Sequence, residues 1–169
     1  INGEGPGSNE PDGVRNNGDV QTHAADMTDG GTIHDSVVDT YNTVIPKARA
    51  GGLWVTSPQG WALLAKAKDA DNRPLIQQLA GEPFARLLGH PLFVTEAVPE
   101  DLGAGNDETE LIFGNFRRGF LFGDRAQIEV KLNDGGKYFE NFQLAIRVSE
   151  RWDGAVGQAQ YFVRGTGWV

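Results

Sequence analysis

Cysteine is absent from this 169-residue chain. Disulfides and thiolate metal sites are excluded, and the redox compartment leaves no mark on the composition. Long apolar runs are missing too: no stretch approaches the roughly 20 apolar residues of a bilayer-spanning helix. Positive charge is scarce, with 15 Lys and Arg against 23 Asp and Glu and a formal net charge of −8. Bulk charge of that sign repels a phosphate backbone, so neither sequence-specific nucleic acid nor a membrane is an expected partner. The closest cationic pair is Arg117-Arg118.

Signals for catalysis or cofactor binding are equally thin. Gly3-x-Gly5-x-Gly7 is not followed by Gly-Lys-Ser/Thr and reads as a turn. His23, His34 and His90 are too scattered for a ligand set. Asp69-Ala70-Asp71 resembles the start of a calcium loop, but Ala80 stands where the distal carboxylate belongs. Ser57 lacks a Gly-x-Ser-x-Gly setting and reads as a helix cap before Pro58. The acidic stretch Glu100, Asp101, Asp107, Glu108, Glu110 reads as a solvated loop. No catalytic residue, no cofactor and no metal is therefore assigned, and the chain is not expected to be an enzyme.

What the chain does have is glycine, 23 residues of it, and apolar segments of changing period. Residues 1–32 are polar and irregular, with short strands expected around Val14 and Val20. Ile33, Val37, Tyr41, Val44 and Ile45 recur at helical spacing, with Pro46 as a stop and Lys47 to Gly52 as a turn. Leu53-Trp54-Val55-Thr56 reads as a buried strand, followed by a helix that carries Trp61, Leu64, Ala65 and Lys68 on one side and packs by Trp61 and Leu64. A turn is expected at Asp69 to Asn72 and extended chain at Leu75-Ile76. Two extended pieces between Leu87 and Val94 should break at Gly89-His90-Pro91, with proline marking an edge or corner.

The later chain reads as β. Leu111 to Gly114 forms a strand; Ile128, Val130 and Leu132 alternate with Glu129 and Lys131 as a half-buried strand. Asn133-Asp134-Gly135-Gly136 signals a turn, and Phe142, Leu144, Ile146 and Val148 share one face of the return strand. That apolar face needs a cover, and no helix near it supplies one. A last strand is expected at Gln160 to Val163. Trp54 and Trp61 lie in core patterns, whereas Trp152 and Trp168 are interface candidates. Mixed elements without regular βα alternation make the class α+β.

The order of these segments resembles one family. Ile1-Asn2-Gly3-Glu4-Gly5 and Pro11-Asp12-Gly13-Val14 resemble the stretch that leaves the spine helix of tailed-phage major capsid proteins. Leu53 to Pro58 with Trp61 resembles their buried strand and following helix. Lys68-Asp69 through Pro74-Leu75-Ile76 resembles a Lys-Asp turn of the family, with Asn72 where glycine is usual. Leu88-Gly89-His90-Pro91-Leu92, Phe113-Gly114-Asn115-Phe116, Gly123-Asp124-Arg125 and Arg147 to Asp153 resemble its later elements.

The resemblance implies the fold called HK-ninety-seven: a central mixed sheet flanked by helices, plus a long β-hairpin. Residues 1–32 would connect from a spine helix, residues 13–118 and 155–169 would form an axial domain, and 119–154 the hairpin of a peripheral domain. The start at Ile1 reads as a processed or truncated product, the C-terminal portion of a capsid subunit. Arm, extended loop and spine helix would precede it. Implied partners are copies of itself in hexamers and pentamers, the remaining N-terminal part, and scaffold, portal and decoration proteins. The implied location is the virion, assembled in a host bacterial cytoplasm around DNA. Some members cross-link a lysine to an asparagine; that asparagine position falls at Phe142 here, with Asn141 adjacent.

Interface candidates are Arg117, Arg118, Asp124, Arg125, Arg147, Arg151 and Trp152. An encapsulin-like nanocompartment or gene-transfer-particle shell is the near alternative. A small hydrolase with paired carboxylates, or a carbohydrate-binding module using Trp152 and Trp168, is the remote one.

Overall fold

The computed structural model describes residues 1–5, 7–8, 10–25, 30–68, 85–133 and 136–169. In chain order the elements are β1 (Gln21–Ala24), α1 (Gly30–Thr43), α2 (Pro46–Arg49), β2 (Leu53–Thr56), α3 (Pro58–Lys66), β3 (Arg86–Leu87) and β4 (His90–Val94). There follow β5 (Thr109–Gly114), α4 (Phe116–Gly119), β6 (Phe120–Asn133), α5 (Lys137–Glu140), β7 (Ala145–Val156) and β8 (Phe162–Trp168), the last entered from a 3-10 turn at Ala159–Tyr161. Among the described residues no helix is long and apolar enough to cross a membrane. The chain divides into two compact units, Ile1–Leu121 with Ala155–Val169, and Phe122–Gly154.

The first unit is built on a six-stranded mixed sheet of order β1-β8-β5-β2-β4-β3. β5 runs antiparallel to β8 and β2, while β2–β4 and β1–β8 are parallel pairs. Leu111-Ile112-Phe113 is a continuous apolar run because β5 is covered on both faces. Trp54, Leu111, Phe113 and Val163 pack with Ile33, Val37 and Val44 of the α1 region and Leu64 of α3. Val55, Ile112 and Phe162 point the other way, onto Val14, Val20 and Val98. Strand alternation thus builds two core layers, and the irregular N-terminal segment covers the second.

Several local expectations need correction. Pro46 opens α2 rather than stopping α1, so Lys47 to Gly52 is partly helical; a proline at the first helical position lacks only an N–H the helix does not use. Ser57 caps α3, accepting from the Gly60 amide at 3.0 Å. That helix packs through Leu64 and the half-buried Trp61, as expected, while Ala65 is exposed and Lys68 lies beyond the helix end. The β3–β4 break falls at Leu88 and Gly89, both at positive φ, not at Gly89-His90-Pro91. Pro91 is tolerated inside an interior strand because pairing of β4 with β2 begins at Leu92. Of the short strands expected around Val14 and Val20, β1 begins directly after Val20, whereas near Val14 there is only the isolated bridge of Asp12 with Glu4. The last strand covers Phe162–Trp168 instead of Gln160 to Val163, with Gln160 in the 3-10 turn. Trp168 is fully buried in the core and is no interface residue. The Asp69 to Asn72 turn, Leu75-Ile76, the calcium-loop reading around Ala80 and the centre of the Asn133 to Gly136 turn lie outside the described residues.

The second unit is a two-stranded sheet of β6 and β7. The 11 residues between them, four of them in α5, are too few for a parallel crossover, so the ribbon is antiparallel.

Candidate assembly surfaces

In the ribbon, Phe122 of β6 stacks on Trp152 of β7, ring centroids 5.6 Å apart. Even-numbered side chains of both strands therefore share one face. Alternation places Ile128, Val130 and Leu132 on that face from β6, and Ile146 and Val148 from β7. The odd face is polar and carries Arg125, Glu129, Lys131, Arg147, Arg151 and Asp153. Lys131 and Glu129 pair there at 2.8 Å. The half-buried strand expected at Ile128 to Leu132 is instead open: Val130 is 59% exposed and Ile146 63%. Phe142 precedes β7, so the face expected to start there starts later. Phe142 is 100% exposed and holds φ 54, a left-handed conformation that bulky residues rarely adopt. Asp124 and Trp152 belong to the even face, Arg125, Arg147 and Arg151 to the odd one, and all five are exposed.

Arg117 and Arg118 project from the short helix α4 immediately after β5, both exposed. Asn115 sets that corner: its side chain caps the Arg118 amide at 3.2 Å and donates to the Ala50 carbonyl at 2.7 Å. The second contact ties α4 to the end of α2. The loop before β5 is acidic, with Glu96, Glu100, Asp101 and Asp107 exposed. Glu100 has a local duty there: it accepts from the Gln59 amide at 2.7 Å in the first turn of α3.

Glu110 is the carboxylate that sequence reading left in the solvated loop, yet its side chain is only 4% exposed. Arg15 Nε donates to its Oε2 at 2.9 Å, and Arg164 Nε stands 3.8 Å from Oε1. Arg164 also donates to the Arg15 carbonyl at 2.5 Å. This triad clasps the N-terminal segment to β5 and β8. The signal that could have located Glu110 is its place in β5, directly against the apolar run. His90 likewise has a structural role, between the Tyr41 hydroxyl at 3.2 Å and the Gly52 carbonyl at 3.1 Å. Among the described residues no three His, Asp or Glu side chains converge to hold a metal ion. What the surface offers is an unpartnered apolar ribbon, a basic corner and an acidic loop.

The family model described as "Phage capsid family" matches residues 1–167. No curated protein sequence matches the chain. Among solved structures, the chain is similar to the capsid of an empty GTA particle, with 25% identity and a TM-score of 0.62 over 80% of this chain and 44% of that one. It is similar to the capsid of a native GTA particle, with 24% identity and a TM-score of 0.66 over 89% and 55%. A chain of Gordonia phage Cozz gives 22% identity and a TM-score of 0.54 over 88% and 50%. This chain thus spans about half the length of the solved chains it matches.

Proposed function

The chain belongs to the phage capsid family, and we propose that it forms the wall of an icosahedral shell around phage DNA. Its work is structural: many modest interfaces between copies, acting together, hold such a shell. The observation that carries this reading is the apolar ribbon face, with Val130 and Ile146 about three-fifths exposed. A monomeric working state would leave that face in water.

In this reading the unit Ile1–Leu121 with Ala155–Val169 is the axial domain, and Phe122–Gly154 the peripheral hairpin. The matched capsid chains are about twice as long as the stretch this chain covers. An amphipathic helix from the rest of such a subunit is the cover we assign to the ribbon. Copies assemble as hexamers and pentamers in the host cytoplasm. Arg125, Arg147 and Arg151 on the polar ribbon face, with Asp124 and Trp152 on the other, make lateral contacts. Scaffold, portal and decoration proteins are the further partners. A net charge of −8 suits a container that must release its DNA.

A gene-transfer-particle shell is the second reading, favoured by the likeness to GTA capsids. The test is expression of the full natural subunit, followed by sedimentation and electron microscopy. Closed shells are expected, empty of DNA because an acidic wall does not itself draw in a phosphate backbone. A subunit that stays monomeric at every concentration overturns the proposal, and closed shells holding protein cargo would mark a nanocompartment.

A further inference from the structure

β5 separates two surfaces of opposite sign. The acidic loop with Glu96, Asp101 and Asp107 leads into Thr109, and Arg117 and Arg118 follow within four residues of Gly114. Six strand residues at about 3.3 Å each hold the two ends on the order of 17 Å apart. That is roughly twice the Debye length at physiological salt, so within one copy the two groups scarcely feel each other. The acidic end is deepened by the N-terminal segment, which the contact of Asn2 with the Ala97 carbonyl brings there with Glu4 and Glu10. At the other end, the guanidinium groups of Arg117 and Arg118 have no carboxylate partner among the described residues. Asn115 nevertheless holds their helix in one place.

We propose that the Arg117-Arg118 corner of one copy docks on the Glu96–Asp107 loop of the next copy. This rests on the shell reading and names one of its interfaces. The two patches differ, so the contact is head-to-tail, and head-to-tail contacts close into rings when the rotation between successive copies closes, as hexamers and pentamers require. In a chain of net charge −8, general repulsion opposes association, and a basic corner fits one place on its neighbour. Contact through charge sets register and partner orientation more than raw affinity.

The experiment uses the full natural subunit with charge reversals at exposed positions. R117E/R118E makes both ends acidic; E4K/E96K/D101K/D107K sets four lysines against the remaining Glu10, Glu100 and Glu108 and makes both basic. Glu100 is left in place because it serves α3. Each variant alone is expected to need at least tenfold more protein to form rings. Both sets in one chain restore assembly. An equimolar mixture of the two variants restores even-membered rings only, because an odd ring cannot alternate. Circular dichroism melts of all variants should superimpose on wild type. If wild-type rings form and the reversals leave them unchanged, or the combined chain stays unassembled with an unaltered melt, the pairing is wrong although the shell reading stands. A wild-type subunit that forms no ring overturns both.

Discussion

The apolar ribbon face can be tested without disturbing the strands that carry it. The substitutions are Val130→Thr and Ile146→Thr together. Threonine keeps the β-branch and the strand preference of the residue it replaces, so the ribbon should still form. Val130 and Ile146 are 59% and 63% exposed in the isolated chain. Their new hydroxyls are hydrated there, and the unassembled chain should keep its stability to within about 0.5 kcal/mol, the range of ordinary surface changes. Under a cover the outcome differs. Each hydroxyl buried without a partner costs about 1–3 kcal/mol on the scale of protein mutational data. Two of them cost about 2–6 kcal/mol per subunit, roughly 30-fold or more in the concentration that supports assembly. Sedimentation velocity of the full subunit over a concentration series gives that shift, and a thermal melt of the unassembled chain gives the control. A melt lowered by several degrees would show that the chain's own core already covers the face. Assembly at the wild-type concentration would show that nothing covers it.

Two further outcomes concern the axial unit. Glu110→Gln leaves Arg15 and Arg164 without their shared carboxylate in a mostly buried site. A loss of about 3 kcal/mol is expected, the low end for breaking a buried pair because both arginines keep some solvent; urea unfolding reads it, and limited proteolysis should cut first within residues 1–20. Gly114→Ala would set a methyl 2.8 Å from the Tyr161 carbonyl oxygen and into the Phe162 ring. A cost of about 1–3 kcal/mol is expected in a thermal melt, against no change for Gly18→Ala, which meets open space.

The strands at the centre of the sheet were legible because their apolar residues are continuous: Trp54 and Val55, and Leu111 to Phe113, are buried on both faces. α1 was legible from its period, and α3 from Ser57-Pro58, whose cap is formed as the residue types imply. β8 was not. Gly165 and Gly167 interrupt its pattern, and Gly167 holds positive φ beside Trp168. Gly165 leaves room against that indole, whose Nε1 would be 2.9 Å from an added methyl. A tryptophan packed over glycine at a chain end looks on paper like an exposed anchor. Glu110 was hidden for a related reason: its acidic neighbours are solvated, and only the arginines from distant segments single it out.

The ribbon failed to match its expected burial in a more informative way. Alternation at Ile128, Val130 and Leu132 is the ordinary mark of a strand with one face out of water. In this chain those residues are open to solvent, and so are Ile146 and Val148. Sequence pattern is selected on the protein in its working state, whereas the exposure of these residues is that of a single chain. Where pattern and burial agree, as at Trp54 and Phe113, the chain supplies its own partner. Where alternation demands a cover that the described residues do not supply, we place the partner in another segment or another copy. Exposure alone would not make that argument, since lone apolar residues on surfaces are common. Five at strand spacing, closed by the Phe122–Trp152 stack and backed by a charged face, are a surface built to be covered.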